Sequence, residues 1–426
     1  MRFIKEIKPS LHGISRLFNT LSSLVGINLL IAGISFVTTM MIANVLGRKS
    51  FGDYSFAIAV GSYSLMFVQY GLEKSFVREL VHFPDRFGEL FKASILLKLF
   101  LFLLFCLCFV IVVQIFREIP GFSWGVVFVV VATTLSAFHL NGVYDAWQQM
   151  PRHATYYMIE KSLFCVLVWT ILLTSFLKLS IELIGLSLLL ASVIGLVLQY
   201  QWALPRIDFK CVKGTRASTL FIIRSNFFIW LAVLSGLSID YMSQIILKLY
   251  SGSAELGSYS VAWKVTQLGT LFLAQAGRIG AEATARHTRP DRTAKEGRQF
   301  LIKYIVFMVT MGFIVGLPSL LFPQYILKLF TTEYSNAKET LRLFGIYPLL
   351  FGPYLAILQY VISMRMQKTY FTLITTVGII SIALSLWLIP QLQSIGAVIS
   401  VLVSLAIALF LFIGVVWFDL IYRKIT

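Results

Sequence analysis

Acidic residues, cysteines and long polar stretches are scarce in this chain. Of its 426 residues, 19 are Asp or Glu, against 36 Lys or Arg, and only 13% are charged. Because 58% are hydrophobic and the mean hydropathy is +0.84, little sequence remains for a separate soluble domain. The four cysteines, three of them inside apolar stretches, provide no disulfide framework. Together these features argue against the disulfide-rich secreted and ordinary soluble classes.

The motifs of several enzyme classes are also missing. The segment Gly47-Arg48-Lys49-Ser50 lacks the upstream glycine of a phosphate-binding loop, which argues against ATP hydrolysis. The five histidines are scattered without metal-ligand spacing, so we expect no metal and no other cofactor. A membrane polymerase or ligase would need a sizeable external loop, whereas the longest external connection, about residues 322–339, is short. We therefore expect no enzymatic activity.

Twelve apolar stretches fill the chain almost from end to end. A bilayer core of about 30 Å requires roughly 20 apolar residues in a helix. The predicted spans, numbered 1 to 12 in chain order, are 22–43, 53–71, 92–115, 123–145, 156–176, 182–203, 221–247, 256–277, 299–321, 340–362, 370–389 and 395–417. The sequence thus predicts an all-α polytopic membrane protein.

The positions of the cations indicate the orientation of these spans. With the N-terminus in the cytoplasm, 22 of the 36 Lys and Arg residues fall on cytoplasmic segments, seven on external ones and seven within or at the edge of spans. Since Lys and Arg near span ends are retained on the cytoplasmic side, both termini are predicted to be cytoplasmic. The net charge of +17 is spread over seven segments, so membrane orientation explains it and no nucleic-acid partner is expected.

An internal repeat organises the chain into two halves. Residues 51–67 align without gaps on residues 256–272, with identities that include Gly52/Gly257 and Tyr54/Tyr259. The offset of 205 residues equals six spans, and repeats of an even number of spans have the same orientation. We therefore predict two six-helix lobes, 1–203 and 221–426, joined by a cytoplasmic linker at 204–220 and related by a pseudo-twofold axis along the membrane normal. Two such lobes can enclose a cavity that opens to either side.

A further set of short motifs runs along both halves. The first half has Leu46-Gly47, Phe51-Gly52-x-Tyr54-x-x-Ala57, Tyr70-Gly71 and Arg78. The second half has Asp240, Gly257-x-Tyr259-x-x-Ala262 and Phe330-x-x-Glu333-Tyr334-x-x-Ala337, with Thr331 where a glycine is often expected. In this order, over essentially the whole chain, these residues resemble bacterial lipid-linked oligosaccharide flippases, including O-antigen flippases. Those proteins belong to the multidrug/oligosaccharidyl-lipid/polysaccharide exporter superfamily.

The resemblance implies a function, a location and partners. It implies an alternating-access flippase that moves an undecaprenyl-pyrophosphate-linked oligosaccharide from the cytoplasmic to the external leaflet of the bacterial inner membrane. The implied partners are the lipid-linked oligosaccharide, membrane lipids, and the polysaccharide polymerase and chain-length proteins of the same process. We expect a monomer whose transport is coupled to a proton or sodium gradient.

Lys264 is the strongest candidate for contact with the substrate pyrophosphate. It lies about 12 Å from the external end of predicted span 8, where an ionisable side chain is costly and therefore a functional candidate. Its partner in the repeat alignment is the uncharged Ala59. The alternative interpretations are a structural ion pair and outward snorkelling of the ammonium.

Asp240 lies at a comparable depth in predicted span 7. Its carboxylate could pair with Lys264, or it could bind the proton or sodium ion that drives transport. Both interpretations remain open on the sequence alone.

Other embedded polar residues are weaker candidates. Arg224 and Arg78 lie near cytoplasmic span ends and could bind pyrophosphate bidentately, although positive-inside placement also explains them. Lys98 is interpreted as snorkelling from the cytoplasmic end. Glu160 and Lys161 are interpreted as satisfying either each other or neighbouring helices, with no role beyond lining the cavity.

Aromatic residues in the spans could contact the sugar, because sugar faces stack on Tyr and Trp rings. By depth, the candidates are Tyr63, Tyr70, Tyr241, Trp263 and Tyr347, of which Tyr70, Tyr241 and Trp263 are preferred. Span 10 contains Pro348 and Pro353, which predict a bend because proline removes a backbone hydrogen bond.

Two other functions remain as alternatives. A cation-coupled multidrug exporter of the same fold would favour acidic and aromatic groups in its cavity, whereas the embedded charges here are mainly basic. A membrane polysaccharide polymerase or ligase is a third candidate, and it is disfavoured by the short external loops.

Overall fold

The computed structural model describes residues 11–72, 86–115, 123–174, 179–207, 215–287, 294–364 and 366–422, which are almost entirely helical. Within these residues, eight helices are long and apolar enough to cross a bilayer. Three of them run through a kink and supply two spans each, and a bent pair, Thr332–Phe344 with Tyr347–Ser363, supplies one more, which brings the number to twelve. The predicted all-α, two-lobed architecture is confirmed.

The helices follow the predicted spans in order. Their bounds are Leu11–Gln69 (spans 1 and 2), Phe87–Ile115 (3), Trp124–Leu135 with Asn141–Ala146 (4), Met150–Leu173 (5), Ile181–Ala203 (6), Thr215–Leu237 (7), Ser243–His287 (the end of 7 and all of 8), Ala294–Leu321 (9), Lys338–Phe344 with Tyr347–Ser363 (10) and Gln367–Tyr422 (11 and 12). Two short helical segments, Pro323–Leu327 and Thr332–Ala337, fill the connection before span 10. The helix of span 7 begins inside the segment that the sequence assigns to the inter-lobe linker.

Three connections that the sequence predicts as loops are sharp kinks, where two helices meet at a residue with non-helical backbone angles. Two of them centre on glycines with positive φ, Gly47 (φ 72°) and Gly252 (φ 84°), and the third on Gln393. Glycine favours this backbone region because it has no Cβ. Gly47 and Gly252 are also equivalent in the sequence repeat, so the repeat extends to the backbone. We call the end of the bundle that carries these kinks the kink end.

The two lobes pack closely at the kink end. A Cβ at Gly52 would overlap the carbonyl oxygen of Ser253, and a Cβ at Gly257 would overlap that of Arg48. These two contacts exchange under the 205-residue offset, as the pseudo-twofold axis requires. The absence of side chains at both glycines lets the backbones of spans 2 and 8 meet.

Polar contacts also join the lobes at the kink end. The Asp53 carboxylate accepts hydrogen bonds from Lys248 Nζ at 2.6 Å and from Ser253 Oγ at 2.6 Å. Arg48 forms a salt bridge with Glu255, and its backbone N–H donates to Glu333 Oε2 at 2.9 Å. Helix packing and buried ion pairing therefore both hold this end of the molecule closed.

Breaking the Asp53–Lys248 pair should weaken the closed arrangement. Both side chains are about nine-tenths buried, so Asp53→Ala leaves an ammonium without its partner in a poorly hydrated place. We expect a loss of roughly 3–5 kcal/mol of unfolding free energy. The double variant Asp53→Leu/Lys248→Met should recover part of it, and a double-mutant cycle in detergent unfolding measures the coupling. Additive losses would contradict the pairing.

Span 4 is broken near its middle. A short 3₁₀ turn, Ser136–Phe138, ends the first helix, and the chain resumes helical geometry at Asn141. Backbone groups of the break are bonded by side chains: Lys98 Nζ donates to Ala137 O at 2.6 Å, and Leu140 N donates to Gln199 Oε1 at 3.1 Å. The interpretation of Lys98 as a snorkelling residue is wrong, because its side chain is buried and bonds the backbone of span 4.

Candidate functional site

A polar seam crosses from lobe to lobe midway along spans 2, 7 and 8. Tyr63 OH donates to Ser238 Oγ at 3.0 Å, and the hydroxyl of Tyr241 interacts with the side chains of Ser62 and Gln267. Ser238 and Tyr241 belong to a π-helical turn, Ser238–Met242, that interrupts span 7. Single π turns inside α-helices are frequent at functional sites, because the extra residue re-aims neighbouring side chains.

Lys264 lies in this seam. Its Nζ donates to Gln267 Oε1 at 3.1 Å, and Gln267 in turn contacts Tyr241. Within the described part of the chain, no carboxylate lies within 4.0 Å of the Lys264 ammonium. The equivalent residue of the first lobe, Ala59, is fully buried. The seam therefore carries its cation on one lobe only.

Asp240 lies in the π-helical turn Ser238–Met242, and its side chain bonds Tyr347, away from Lys264. Its Oδ1 accepts a hydrogen bond from Tyr347 OH at 3.3 Å. The suggested ion pair with Lys264 is absent, because each group bonds a neutral side chain of its own lobe and no cation among the described residues lies within 4.0 Å of the carboxylate. Asp240 is thus a carboxylate beside a tyrosine in the second lobe, and its role in ion coupling stays a prediction.

Trp263 lies behind the seam, in the core of the second lobe. It is 4% exposed and packs edge-on against Tyr347, with ring centroids 5.1 Å apart, and against Phe344 at 5.3 Å. In this conformation the ring does not form part of the surface between the lobes. Its predicted contact with sugar stays untested.

Tyr70 lies far along span 2 from the kink end. Its ring stacks on Trp230 of the second lobe, with centroids 4.9 Å apart, and its hydroxyl donates to Ile223 O at 3.3 Å. The ring therefore joins the lobes along one side of the bundle, and its sugar contact also stays a prediction.

Of the two arginine candidates, only Arg224 lies among the residues that the structure describes, and it does not join the seam. Arg224 is exposed on span 7, in the turn after Ile223. Arg78 lies outside the residues that the structure describes. Of the candidates proposed from the sequence, the structure brings together Lys264, Asp240 and Tyr241.

A cavity of about 400 Å³ opens beside the seam. Span 2 contributes Tyr63 and Ser64 to its wall, and span 7 contributes Ser235 and Ser238. Apolar side chains, Phe67 and Phe105 among them, complete the lining. Hydroxyl groups against an apolar wall suit a ligand with both polar and lipid parts.

A second polar cluster lies within the first lobe, and only part of it was predictable from the sequence. Glu160 Oε1 accepts from Lys161 Nζ at 3.0 Å, as the interpretation of a self-satisfied pair expects. The other carboxylate oxygen, Oε2, lies 3.0 Å from His139 Nε2. His139 belongs to the break in span 4, just before Asn141-Gly142, and the sequence offered no reason to place it beside Glu160.

Comparisons with known proteins place this geometry in context. Residues 17–278 match the family described as polysaccharide biosynthesis protein. No curated protein sequence is significantly similar to the chain.

The fold is shared with solved transporters. A multidrug resistance MATE family transporter of the MOP superfamily in an inward-facing conformation superposes with a TM-score of 0.75 at 14% identity, covering 93% of this chain and 96% of that one. An outward-facing structure gives a TM-score of 0.66 at 13% identity, covering 96% of each chain. A MOP superfamily transporter from Pyrococcus furiosus, described as having a reversed-polarity binding pocket, gives 0.65 at 13% identity and covers 92% and 94%. These likenesses show the fold.

Proposed function

We propose that this chain, which belongs to the polysaccharide biosynthesis protein family, is a flippase for an undecaprenyl-pyrophosphate-linked oligosaccharide. The observation that carries the proposal is Lys264, a cation in the seam between the lobes with no carboxylate partner among the described residues. A pyrophosphate can supply the negative charge that this ammonium lacks. Hydrogen bonds between charged groups are stronger than those between neutral groups, and their electrostatic energy increases in a site with little water.

The three parts of such a substrate have different needs. The pyrophosphate would meet Lys264, with Gln267 and Tyr241 beside it as neutral hydrogen-bonding groups. The sugar needs a wet passage with hydroxyl groups, such as those of Tyr63, Ser64 and Ser238 in the adjacent cavity. The lipid tail stays in the bilayer throughout. Tyr70 and Trp263 would contact the sugar only after the lobes move apart.

Movement of the lobes supplies the translocation step. With the N-terminus in the cytoplasm, as the distribution of cations favours, the kink end is external. The closely packed glycines and the Asp53–Lys248 pair then keep the external side shut. The substrate would enter from the cytoplasmic side, where Arg78 and Arg224 could attract its phosphates. Rocking of the lobes about the pseudo-twofold axis would then expose it outside.

Transport against a gradient requires an energy source such as a coupling ion, and the transported product requires partner proteins that use it. Asp240 is a candidate to bind a coupling proton or sodium ion, because the free energy of a partly buried carboxylate that bonds a neutral tyrosine depends strongly on its charge. We place the protein in the bacterial inner membrane as a monomer. Its product would pass to polysaccharide polymerase and chain-length proteins, and the chain itself would catalyse no bond change.

A multidrug exporter of the same fold is the competing candidate. Asp240 favours it, since this carboxylate lies beside a group of aromatic rings that includes Tyr347 and Trp263, and such a group could attract an organic cation. Lys264 opposes it, because an ammonium in the same seam would repel that cation. The two candidate functions differ in the charge of the transported substrate, which is negative for the flippase and positive for the exporter.

Reconstitution distinguishes the two functions. The purified protein is placed in proteoliposomes with a fluorescent undecaprenyl-pyrophosphate oligosaccharide, and exposure of the sugar to an external glycosidase is followed with and without proton or sodium gradients. Exposure above the rate in protein-free liposomes is the expected result, and the effective gradient identifies the coupling ion. Export of a cationic dye in vesicles where no sugar is exposed would overturn the flippase and support the exporter.

A further inference from the structure

A buried cluster of titratable side chains lies inside the first lobe, apart from the seam that holds Lys264. Glu160, on span 5, is fully buried, and its two carboxylate oxygens face Lys161 Nζ at 3.0 Å and His139 Nε2 at 3.0 Å. By helical rise Glu160 lies about 15 Å from Met150, the first residue of the helix Met150–Leu173, and so near the middle of that helix. An ionisable group at that depth is costly and is a functional candidate by default.

The contact between His139 and Glu160 is one between two unsatisfied atoms. His139 Nε2 and Glu160 Oε2 each lack any other hydrogen-bond partner among the described residues, although both are buried. A neutral imidazole that carries its hydrogen on Nδ1 would point a lone pair at the carboxylate. One added proton converts this contact into a charge-assisted hydrogen bond.

The local packing is shaped around the carboxylate. A Cβ at Gly195 of span 6 would collide with Glu160 Oε2, so only glycine leaves room for the side chain in this position. His139 itself lies on the break in span 4, between two helical pieces. Lys98 and Gln199 form hydrogen bonds with backbone groups of this break, at Ala137 and Leu140. A broken span held by side chains is an element that can change its arrangement when a charge beside it changes.

The other titratable groups around the pair fix its charge balance. Lys161 neutralises Glu160 and also lies over the Tyr157 ring, 4.8 Å from its centroid. The ring centroids of His139 and His153 are 6.2 Å apart, and His153 Nε2 is a further buried nitrogen with no partner among the described residues. With both histidines neutral the cluster carries no net charge, so one proton gives it a charge of +1.

Three remaining groups approach the cluster from neighbouring spans. Tyr144 of span 4 packs on His153, with ring centroids 5.6 Å apart. Lys98 of span 3 shares the wall of a small cavity with His139. Tyr54 of span 2 lies near Lys161. None of these groups supplies a second negative charge, so the added proton would change the net charge of the cluster.

We propose that His139 and Glu160 form a proton-binding site whose loading couples a proton gradient to the movement of the lobes. The proton comes from water on one side, is shared between His139 Nε2 and Glu160 Oε2, and returns to water on the other side, with no other bond made or broken. Lys161 already occupies the second carboxylate oxygen, and its positive charge disfavours a sodium ion there. The site deepens the proposed function and rests on it for the meaning of the coupling.

The cluster is also connected to the seam between the lobes. Tyr157 lies one helical turn before Glu160 on span 5, and it is near Tyr241. The hydroxyl of Tyr241 in turn contacts Gln267, which accepts a hydrogen bond from Lys264. A charge of +1 on the first lobe would therefore be felt at the place where we expect the pyrophosphate. Proton loading and substrate binding can influence one another over this short path.

The test measures proton binding without substrate. Proteoliposomes on a solid-supported membrane are given a rapid pH step, and the displaced charge is recorded. We expect His139→Gln and Glu160→Gln each to reduce the displaced charge at least about fivefold, while Glu339→Gln, at an exposed carboxylate of the second lobe, leaves it unchanged. Gly195→Ala keeps every titratable group but displaces the carboxylate, and should reduce the signal as well.

Sugar exposure measured on the same variants separates the two proposals. The histidine and glutamate variants should keep exchange of the lipid-linked sugar in the absence of a gradient and lose its acceleration by a proton gradient. Wild-type charge displacement in all the variants, or a displacement evoked by sodium, would overturn the proton site and leave the flippase standing. Charge displacement without any sugar exposure by the wild type would overturn the flippase alone. Because His139→Gln preserves hydrogen-bonding capacity, it remains informative even where Glu160→Gln fails to fold.

Discussion

Replacement of Lys264 with alanine should lower the rate of sugar exposure in proteoliposomes by about 10- to 100-fold. The reason is the loss of a charge-assisted contact to pyrophosphate, which is worth about 1.5–3 kcal/mol. The side chain forms no ion pair with any described carboxylate, so its removal should cost little stability. The glycosidase assay gives the rate, and thermal unfolding in detergent checks the fold.

The control variants make this result specific to the position and the charge. Lys264→Arg should retain activity to within about fivefold, because a guanidinium also binds phosphate oxygens. Lys338→Ala, at an exposed lysine of the second lobe, should behave like the wild type. An exporter of organic cations would respond in the opposite sense, since removing an ammonium from its path relieves repulsion. Unimpaired sugar exposure by Lys264→Ala would refute the cationic path.

Alanine at Gly52 or at Gly257 should prevent the kink end from closing. Each new Cβ would overlap a backbone carbonyl oxygen of the opposite lobe, at Ser253 or Arg48, and a backbone atom cannot turn aside as a flexible side chain can. Overpacking of this kind costs about 1–3 kcal/mol. We therefore expect the balance between the closed and open arrangements of this end to shift by about 5- to 150-fold, and the transport rate to fall with it.

Distances between spin labels measure this shift directly. Lys49 and Tyr250 are exposed residues at the kink end, one on each lobe, and can carry the labels after substitution with cysteine in a background without the native cysteines. Gly33→Ala is the matched control, because a Cβ there meets no atom within 4 Å. The pseudo-twofold axis makes a further demand: both glycine variants should lengthen the distance. A longer distance in only one of them would contradict the reciprocal contact.

The sequence predicted the framework of the molecule because that framework depends on regular patterns. Apolar length and the distribution of Lys and Arg locate spans, and the matches at Gly52/Gly257 and Tyr54/Tyr259 reveal the two lobes. The bend of 40° in span 10 was likewise expected from its prolines. These features repeat along the chain, so one sequence is enough to recognise them.

Contacts between residues distant in the sequence were harder to predict. Lys264 and Asp240 lie at similar depths, which made an ion pair plausible, but depth does not specify the direction of a side chain around its helix. Asp240 turns to Tyr347, and Lys264 to Gln267. Lys98 shows the same difficulty: its partner is a backbone oxygen, Ala137 O, at a break in span 4 that lies inside an apolar stretch, just before Asn141-Gly142. Sequence patterns show which ionisable residues lie within the membrane more readily than they show which groups those residues bond.

The kinks at Gly47, Gly252 and Gln393 have a consequence for how the chain is made. Each joins two spans with hardly a residue to spare, so neither span of a pair can settle in lipid while the other waits in water. We expect the two to enter the bilayer together, as a hairpin. Without its kink, the helix Leu11–Gln69 would be a straight rod of about 90 Å, roughly three times the thickness of the hydrocarbon core. We therefore expect helical hairpins to form before the lobes do during biosynthesis.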